Sequence, residues 1–201
     1  DSGNLSAADT FGLTVTNVND APTVANAIAD QAAAEDMAFS FVVPANTFAD
    51  EDIGDTQTLS ASLANGGALP SWLTFDATTG TFSGTPANGD VGSVNVTVTA
   101  TDTGNLSAAD TFALTVTNVN DAPTVATSLA DQAATEDAAF SLVVPVNTFA
   151  DVDAGDTLAL SAAREDGSAL PAWLAFDAPT GTFSGTPGNG DVGSVNVTVT
   201  A

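Results

Sequence analysis

Ser93-Val-Asn-Val-Thr-Val-Thr-Ala100-Thr-Asp-Thr-Gly-Asn-Leu-Ser-Ala-Ala-Asp-Thr-Phe112-Ala-Leu-Thr-Val116 decides the fold of this chain. Val94, Val96, Val98 and Ala100 alternate with Ser, Asn and Thr, and Phe112, Leu114 and Val116 alternate in the same way. A period of two puts one face of each run into a core and the other into water, which is the signature of half-buried β-strands. Working outward, Met37-Ala-Phe-Ser-Phe-Val-Val43 places Met37, Phe39, Phe41 and Val43 on one side, and Thr58-Leu-Ser-Ala-Ser-Leu63 repeats the pattern with Leu59, Ala61 and Leu63. Helical spacing is nowhere sustained over three turns.

Turn chemistry separates these runs. Asn65-Gly-Gly, Asp76-Ala-Thr-Thr-Gly80, Ser83-Gly-Thr-Pro86 and Asn88-Gly-Asp90 all read as turns, because Gly tolerates positive φ and Asx side chains bond their own backbone. About seven short strands per module, with turns every 8–12 residues, predict an all-β, Ig-like Greek-key sandwich. Trp72 with Phe75, and Trp173 with Phe176, are expected to plug the cores, since large aromatics are normally spent on burial.

The pattern recurs with a period of 101 residues. Asp1-Ser-Gly-Asn-Leu-Ser-Ala-Ala-Asp-Thr-Phe11 returns as Asp102-Thr-Gly-Asn-Leu-Ser-Ala-Ala-Asp-Thr-Phe112, and Trp72 returns as Trp173. Long-period self-similarity marks a tandem array of like modules, which is more often a spacer or scaffold than a catalyst. Residues 1–17 read as the terminal strand of a preceding repeat or of a neighbouring chain's repeat. Residues 18–118 form one complete repeat, and residues 119–201 form a second repeat without that last strand. The expectation is a piece of a longer protein or a unit of an assembly, with Phe11, Leu13 and Val15 in phase to complete the second repeat.

Charge narrows the functions. The 25 acidic residues face one base, Arg164, for a formal net charge of -24. Nucleic-acid binding is excluded, because phosphate neutralisation needs Lys and Arg. An anionic membrane surface would repel the chain, and no stretch approaches the ~18 apolar residues of a membrane span. Zero Cys removes disulfides and thiolate metal sites, and zero His removes the usual zinc ligand and the commonest general base.

All but four acids are Asp, the exceptions being Glu35, Glu51, Glu136 and Glu165. Short carboxylates of this kind suit Ca²⁺ loops and plain Asx turns alike. Asp50, Asp52 and Asp55 crowd around Gly54, and Asp151, Asp153 and Asp156 around Gly155. Carboxylates two apart in a Gly-containing turn can address one Ca²⁺ ion, with backbone carbonyls completing its shell. The alternative is a solvated acidic loop. The EF-hand pattern is not matched.

Leu-Pro-x-Trp-Leu-x-Phe-Asp-Ala-x-Thr-Gly-Thr-Phe-Ser-Gly-Thr-Pro, at 69–86 and again at 170–187, resembles the bacterial dystroglycan-type cadherin-like repeats, also described as putative Ig repeats. Ala100-Thr-Asp-Thr-Gly104 and Phe112-Ala-Leu-Thr-Val-Thr-Asn-Val-Asn-Asp-Ala-Pro123 are similar to the end of a cadherin repeat and its linker. Such repeats form stalks in very large secreted or surface proteins, including RTX-type adhesins, so the resemblance implies an extracellular location and calcium at module junctions. The ligand set it implies is Glu35 and Glu136 for the early Glu, and Asp50, Asp52, Asp151 and Asp153 for the Asp-x-Asp turn. Asp102, with Asp1 as its copy, takes the Ala-x-Asp position; Asn17, Asn19 and Asp20, then Asn118, Asn120 and Asp121, take the linker. One departure stands out: Gly84-Thr-Pro86 and Gly185-Thr-Pro187 replace the acidic motif that cadherins carry mid-domain. Fewer ions per junction are therefore implied.

The preferred reading is a calcium-stiffened extender repeat of an extracellular filament or giant adhesin, joined to neighbouring repeats or to identical subunits head to tail. The alternative is a carbohydrate-binding module that engages glycans through exposed Trp. An enzyme is not expected: Asp151 and Asp153 form a carboxylate pair, but they sit in a turn without oxyanion or substrate-binding groups around them.

Overall fold

The computed structural model describes residues 2–4 and 6–201. It divides into two compact units, Asp1–Asn118 and Val119–Ala201. Each is all-β apart from one short 3₁₀ turn, at Asn88–Asp90 and Asn189–Asp191. Among the described residues no helix is long and apolar enough to cross a membrane.

In the first unit, β1 (Thr23–Val24) pairs with β4 (Phe48–Ala49). One sheet runs in the order β2 (Gln31–Ala34), β9 (Ser107–Thr117), β8 (Gly92–Thr101), β5 (Thr58–Leu63). The other runs β3 (Phe39–Val42), β7 (Thr81–Gly84), β6 (Leu73–Asp76). All pairs are antiparallel except β2 with β9, which is parallel and sets Gln31 opposite Leu114. Between the two sheets lies one core, where Val96 and Val98 from β8 and Phe112, Leu114 and Val116 from β9 meet Leu73 and Phe82. The Phe82 and Phe112 rings contact edge to face at 5.8 Å, joining the sheets directly. The period-two reading of β5, β8 and β9 is realised residue for residue: Val96, Val98 and Ala100 have no exposed surface, while Ser93 pairs with Thr115 and Thr97 with Thr111 through hydroxyls on the outer face.

Two local expectations are corrected. Met37 does not join the inward row of β3; it falls in the turn before the strand and is 61% exposed, because Asp36 takes a positive φ of 58° there. Ser83-Gly84 is strand and not turn. Gly84 is needed where β7 pairs with Leu73, since a Cβ there would stand 1.8 Å from the Trp72 carbonyl oxygen. Trp72 meets Phe39 edge to face at 6.2 Å and packs, half-buried, against the core.

The second unit repeats much of this plan. β10 (Thr124–Val125) pairs with β12 (Phe149–Ala150), and β11 (Phe140–Val143), β15 (Thr182–Gly185) and β14 (Leu174–Asp177) form the three-stranded sheet. Its other sheet holds two strands, β13 (Ser161–Arg164) and β16 (Val197–Thr200). Residues 132–135, the counterpart of β2, form no strand. The buried cluster consists of Val144, Leu174 and Phe183. Beside it lies an open trough of about 980 Å³, whose lining includes Leu142, Phe183, Val197 and Val199.

Residues 6–17 form no strand within the first unit and are exposed, Phe11 at 84%, Leu13 at 81% and Val15 at 86%.

Candidate metal centre

In the first unit the chain after β4 turns sharply at Asp50–Asp55, where Gly54 takes φ of +89° and the Asp55 amide donates to the Asp52 carbonyl. That turn lies against Asp102, in the tight loop between β8 and β9. Asn105 holds the loop closed with a φ of 66°, its amide donating to the Asp102 carbonyl, and the Leu106 amide donates to Asp102 Oδ1 at 2.8 Å. Asp50, Asp55 and Asp102 thereby present one carboxylate oxygen each within 4.8 Å of one another.

The linker residues close over this cluster. Asn17 Nδ2 donates to Asp52 Oδ1 at 2.8 Å, the Asp20 amide to Asp52 Oδ2 at 2.7 Å, and Asn19 Nδ2 to Asp102 Oδ2 at 3.0 Å. Asp52 is thus engaged by the linker, while Asp50 and Asp55 face Asp102. Thr103 donates its hydroxyl to Asp55 Oδ1 at 2.5 Å, and this bond, joined by the backbone amides of Thr56 and Thr103, holds the Asp55 carboxyl below its ordinary pKa. Ionised carboxylates are acceptors only, so their uncommitted oxygens need donors or cations. Asp50 Oδ2 and Asp55 Oδ2 are buried without a hydrogen-bond partner.

The second unit builds a related group from Asp151, Asp153 and Asp156, again within 4.8 Å, around Gly155 at φ of +101°. The Asp153 amide donates to Asp151 Oδ1 at 3.0 Å, and the Asp121 amide donates to Asp153 Oδ2 at 2.7 Å. Asp153 is 5% exposed, and its Oδ1 is buried without a partner. Asn120 Nδ2 donates to the Asp121 carbonyl at 3.0 Å.

The remaining expected ligands are placed elsewhere. Glu35 is fully buried, but its amide bonds the Thr117 carbonyl at the far end of β9 from Asp102, so it does not join the cluster of its own unit. Glu136 is exposed beside the open trough, and Asn118 is exposed. Asp1 lies outside the described residues. Asp55 and Asp156, absent from the ligand set that the resemblance implies, join the clusters. Their signal was present in the sequence as the third Asp of each Gly-containing turn.

Three carboxylates this close repel one another by about 1 kcal/mol per pair even in water-like surroundings, and by more when buried. Asx-type bonds to backbone amides offset part of that repulsion and leave the orphaned oxygens in place. Donors consisting of oxygen alone, from several carboxylates on flexible turns, fit a hard divalent cation of the size of Ca²⁺.

The relatives agree with the architecture. A segment of the chain is 33% identical over 131 residues to the serine-rich adhesin for platelets of Staphylococcus aureus, covering 65% of this chain and 5% of that protein. The form from strain MRSA252 is 32% identical over 131 residues, with 9% of its length covered. The chain therefore spans a small fraction of the adhesins it matches. Among solved structures, cadherin domains 1–4 of protocadherin gamma B7 align over 90% of this chain and 49% of that one, with a TM-score of 0.54 at 19% identity. The protocadherin gamma B4 extracellular domain aligns over 90% of this chain and 32% of that one, with a TM-score of 0.51 at 22% identity. Both likenesses speak to the fold. The family model described as Putative Ig domain matches residues 21–117 and again residues 122–201, so this chain belongs to the Putative Ig domain family, as a tandem pair of β-sandwich repeats with a cadherin-like fold.

Proposed function

We propose that this chain is an extender segment of an extracellular bacterial adhesin or filament, stiffened by calcium and joined head to tail to further copies. The single observation that carries the calcium part is the set of buried, unpartnered carboxylate oxygens on Asp50, Asp55 and Asp153, each inside a carboxylate cluster. Asp50, Asp55 and Asp102 would hold an ion in the first unit, and Asp151, Asp153 and Asp156 would hold one in the second. The ion supplies the positive charge that a chain with one base lacks.

Stiffening follows from what the clusters tie down. Asn17, Asn19 and Asp20 bond Asp52 and Asp102, and Asp121 bonds Asp153, so an ion that fixes these carboxylates also fixes the segment entering each sandwich. Glu35, Glu136 and the Asn118–Asp121 linker contribute as the resemblance implies, when neighbouring modules meet. Surface display of a spacer fits the adhesin relationship.

Calorimetry with millimolar calcium and with chelator tests this reading. A site held at 100 times its Kd stabilises the folded state by about 2.7 kcal/mol, so melting should rise by several degrees with calcium and fall on chelation. Superimposable melts and unchanged small-angle scattering would overturn it.

A further inference from the structure

We infer that β2, β9 and the two carboxylates of Asp30 and Asp110 form a tension-bearing clamp, which gives the first unit the further function of resisting forced unfolding along its length. This rests on the extender part of the proposed function and is independent of the calcium part.

The path of the chain sets the direction of load. It enters the unit beside the start of β9, where Asn19 bonds Asp102 and the Asp20 amide bonds Asp52. It leaves from the opposite end of β9, where Thr117 is followed by Asn118. Tension carried from one module to the next therefore pulls the entering segment and the end of β9 apart along the β9 axis. On this path β1 comes first, with two residues paired to β4. β2 comes next, and it is parallel to β9, with Gln31–Ala34 alongside Leu114–Thr117. Parallel strands pulled from opposite ends slide past each other, so every bond between them is strained together and none is released first. An antiparallel hairpin pulled at its open end gives up its bonds one pair at a time.

Two carboxylates extend the clamp beyond the strand. The Glu35 amide donates to the Thr117 carbonyl at 3.1 Å, and the Thr117 hydroxyl to the Ala33 carbonyl at 3.2 Å, at the end where β9 is pulled. On the side where the entering chain is pulled, the backbone ladder stops at Gln31. There Asp30 Oδ1 accepts from the Ala113 amide at 2.8 Å, and Asp110 Oδ2 accepts from the Ile28 amide at 2.6 Å. One bond runs from each segment to the other, and amide bonds to an ionised acceptor are shorter and stronger than neutral ones. Ile28 and Ala33, both buried in the core cluster, seal the segment against the sandwich and keep water from competing for the strained bonds.

Single-molecule pulling on the full chain, in chelator, tests the clamp. The sequence has no Cys, so pairs of introduced thiols set the points of attachment. Ala21→Cys with Asn118→Cys loads β2 against β9 in shear. Val91→Cys with Asn118→Cys pulls at the open end of the β8–β9 hairpin, beside the Gly92 and Val116 pair, and peels it. All three positions are exposed. The unfolding force of the first unit should be severalfold higher in shear than in peeling. Asp30→Ala combined with Asp110→Ala should bring the shear force down toward the peeling force and leave the peeling force unchanged. Val98→Ala, which loosens the core away from the clamp, should lower both, because forced unfolding follows the unfolding rate.

Equal forces in the two geometries of the unsubstituted unit would overturn the inference, whatever the double variant does. A double variant that weakens both geometries alike would overturn the role of the carboxylates. A difference in force without any calcium effect on melting would refute the calcium reading alone. A calcium effect without a difference in force would refute the clamp alone.

Discussion

Val98 and Val199 occupy the same place in two nearly identical sequences, yet Val98 has no exposed surface and Val199 is half-buried on an open trough. The difference is the neighbouring strand. β8 runs for ten residues because it is bonded on both sides, by β5 and by β9. β16, with β13 on one side, holds strand pairing for four. Gln31-Ala-Ala-Ala34 is a strand and Gln132-Ala-Ala-Thr135 is not, although their compositions are almost the same. Ala and Gln have little intrinsic strand preference, so strand formation there is conferred by the partner β9.

Removing the closing strand's anchor should have the largest effect on this contrast. Phe112→Ala is expected to cost about 3–5 kcal/mol, and to bring amide protection of β8 in the first unit down toward that of β16 in the second. Urea unfolding followed by hydrogen exchange and mass spectrometry reads the two units separately. If β8 protection survives the change, closure by β9 is not what separates the units.

Calcium offers the next largest handle. Asp50→Asn should abolish the calcium-dependent rise in melting of the first unit and leave that of the second, while Asp151→Asn should do the reverse. Calorimetry of both variants with and without calcium checks this, and equal losses in both units from either change would show that the clusters do not act separately.

A smaller asymmetry is expected from truncating one valine to alanine. Val98→Ala should destabilise the first unit by about 2 kcal/mol, because the site is fully packed. Val199→Ala should cost the second unit under about 1 kcal/mol, since water already reaches the side chain. Parallel denaturant titrations compare them, and equal losses would mean that the trough is closed in solution.

Acid titration should give the smallest effect. The Thr103 hydroxyl holds Asp55 below its ordinary value of 3.8, so the folded state favours the ionised form. Stability from this bond is fully present above that ordinary value and is lost as pH falls through the lower folded value. Thr103→Val should therefore lower the stability of the first unit slightly near pH 7, and the difference from the unsubstituted chain should fade as pH falls below about 4. A pH series of thermal melts is sufficient to detect it.

Much of this architecture was legible in the residues themselves. β5 was read to its ends, and the inward rows of β8 and β9 were read correctly, because Val, Leu and Phe alternating with Thr and Ser can satisfy only one face at a time. The Gly-containing acidic turns announced both carboxylate clusters, and the third Asp of each turn, Asp55 and Asp156, proved to be a member. Less legible was Gly84, read as turn because Gly usually marks one. It is a strand residue made small by the Trp72 carbonyl lying over it, a contact between segments that local sequence does not encode.

By itself, then, the sequence determined the all-β class, the repeat, the phase of the inward faces and which turns carry clustered acid, because each of these depends on spacing along the chain. Tertiary structure alone decided that Glu35 is buried at one end of its unit while Asp102 completes a cluster at the other, and that the Trp72 carbonyl lies over Gly84. Burial and pairing are properties of what lies alongside. A strand's neighbours are set by contacts between residues distant in sequence, so near-identical segments can finish in different states.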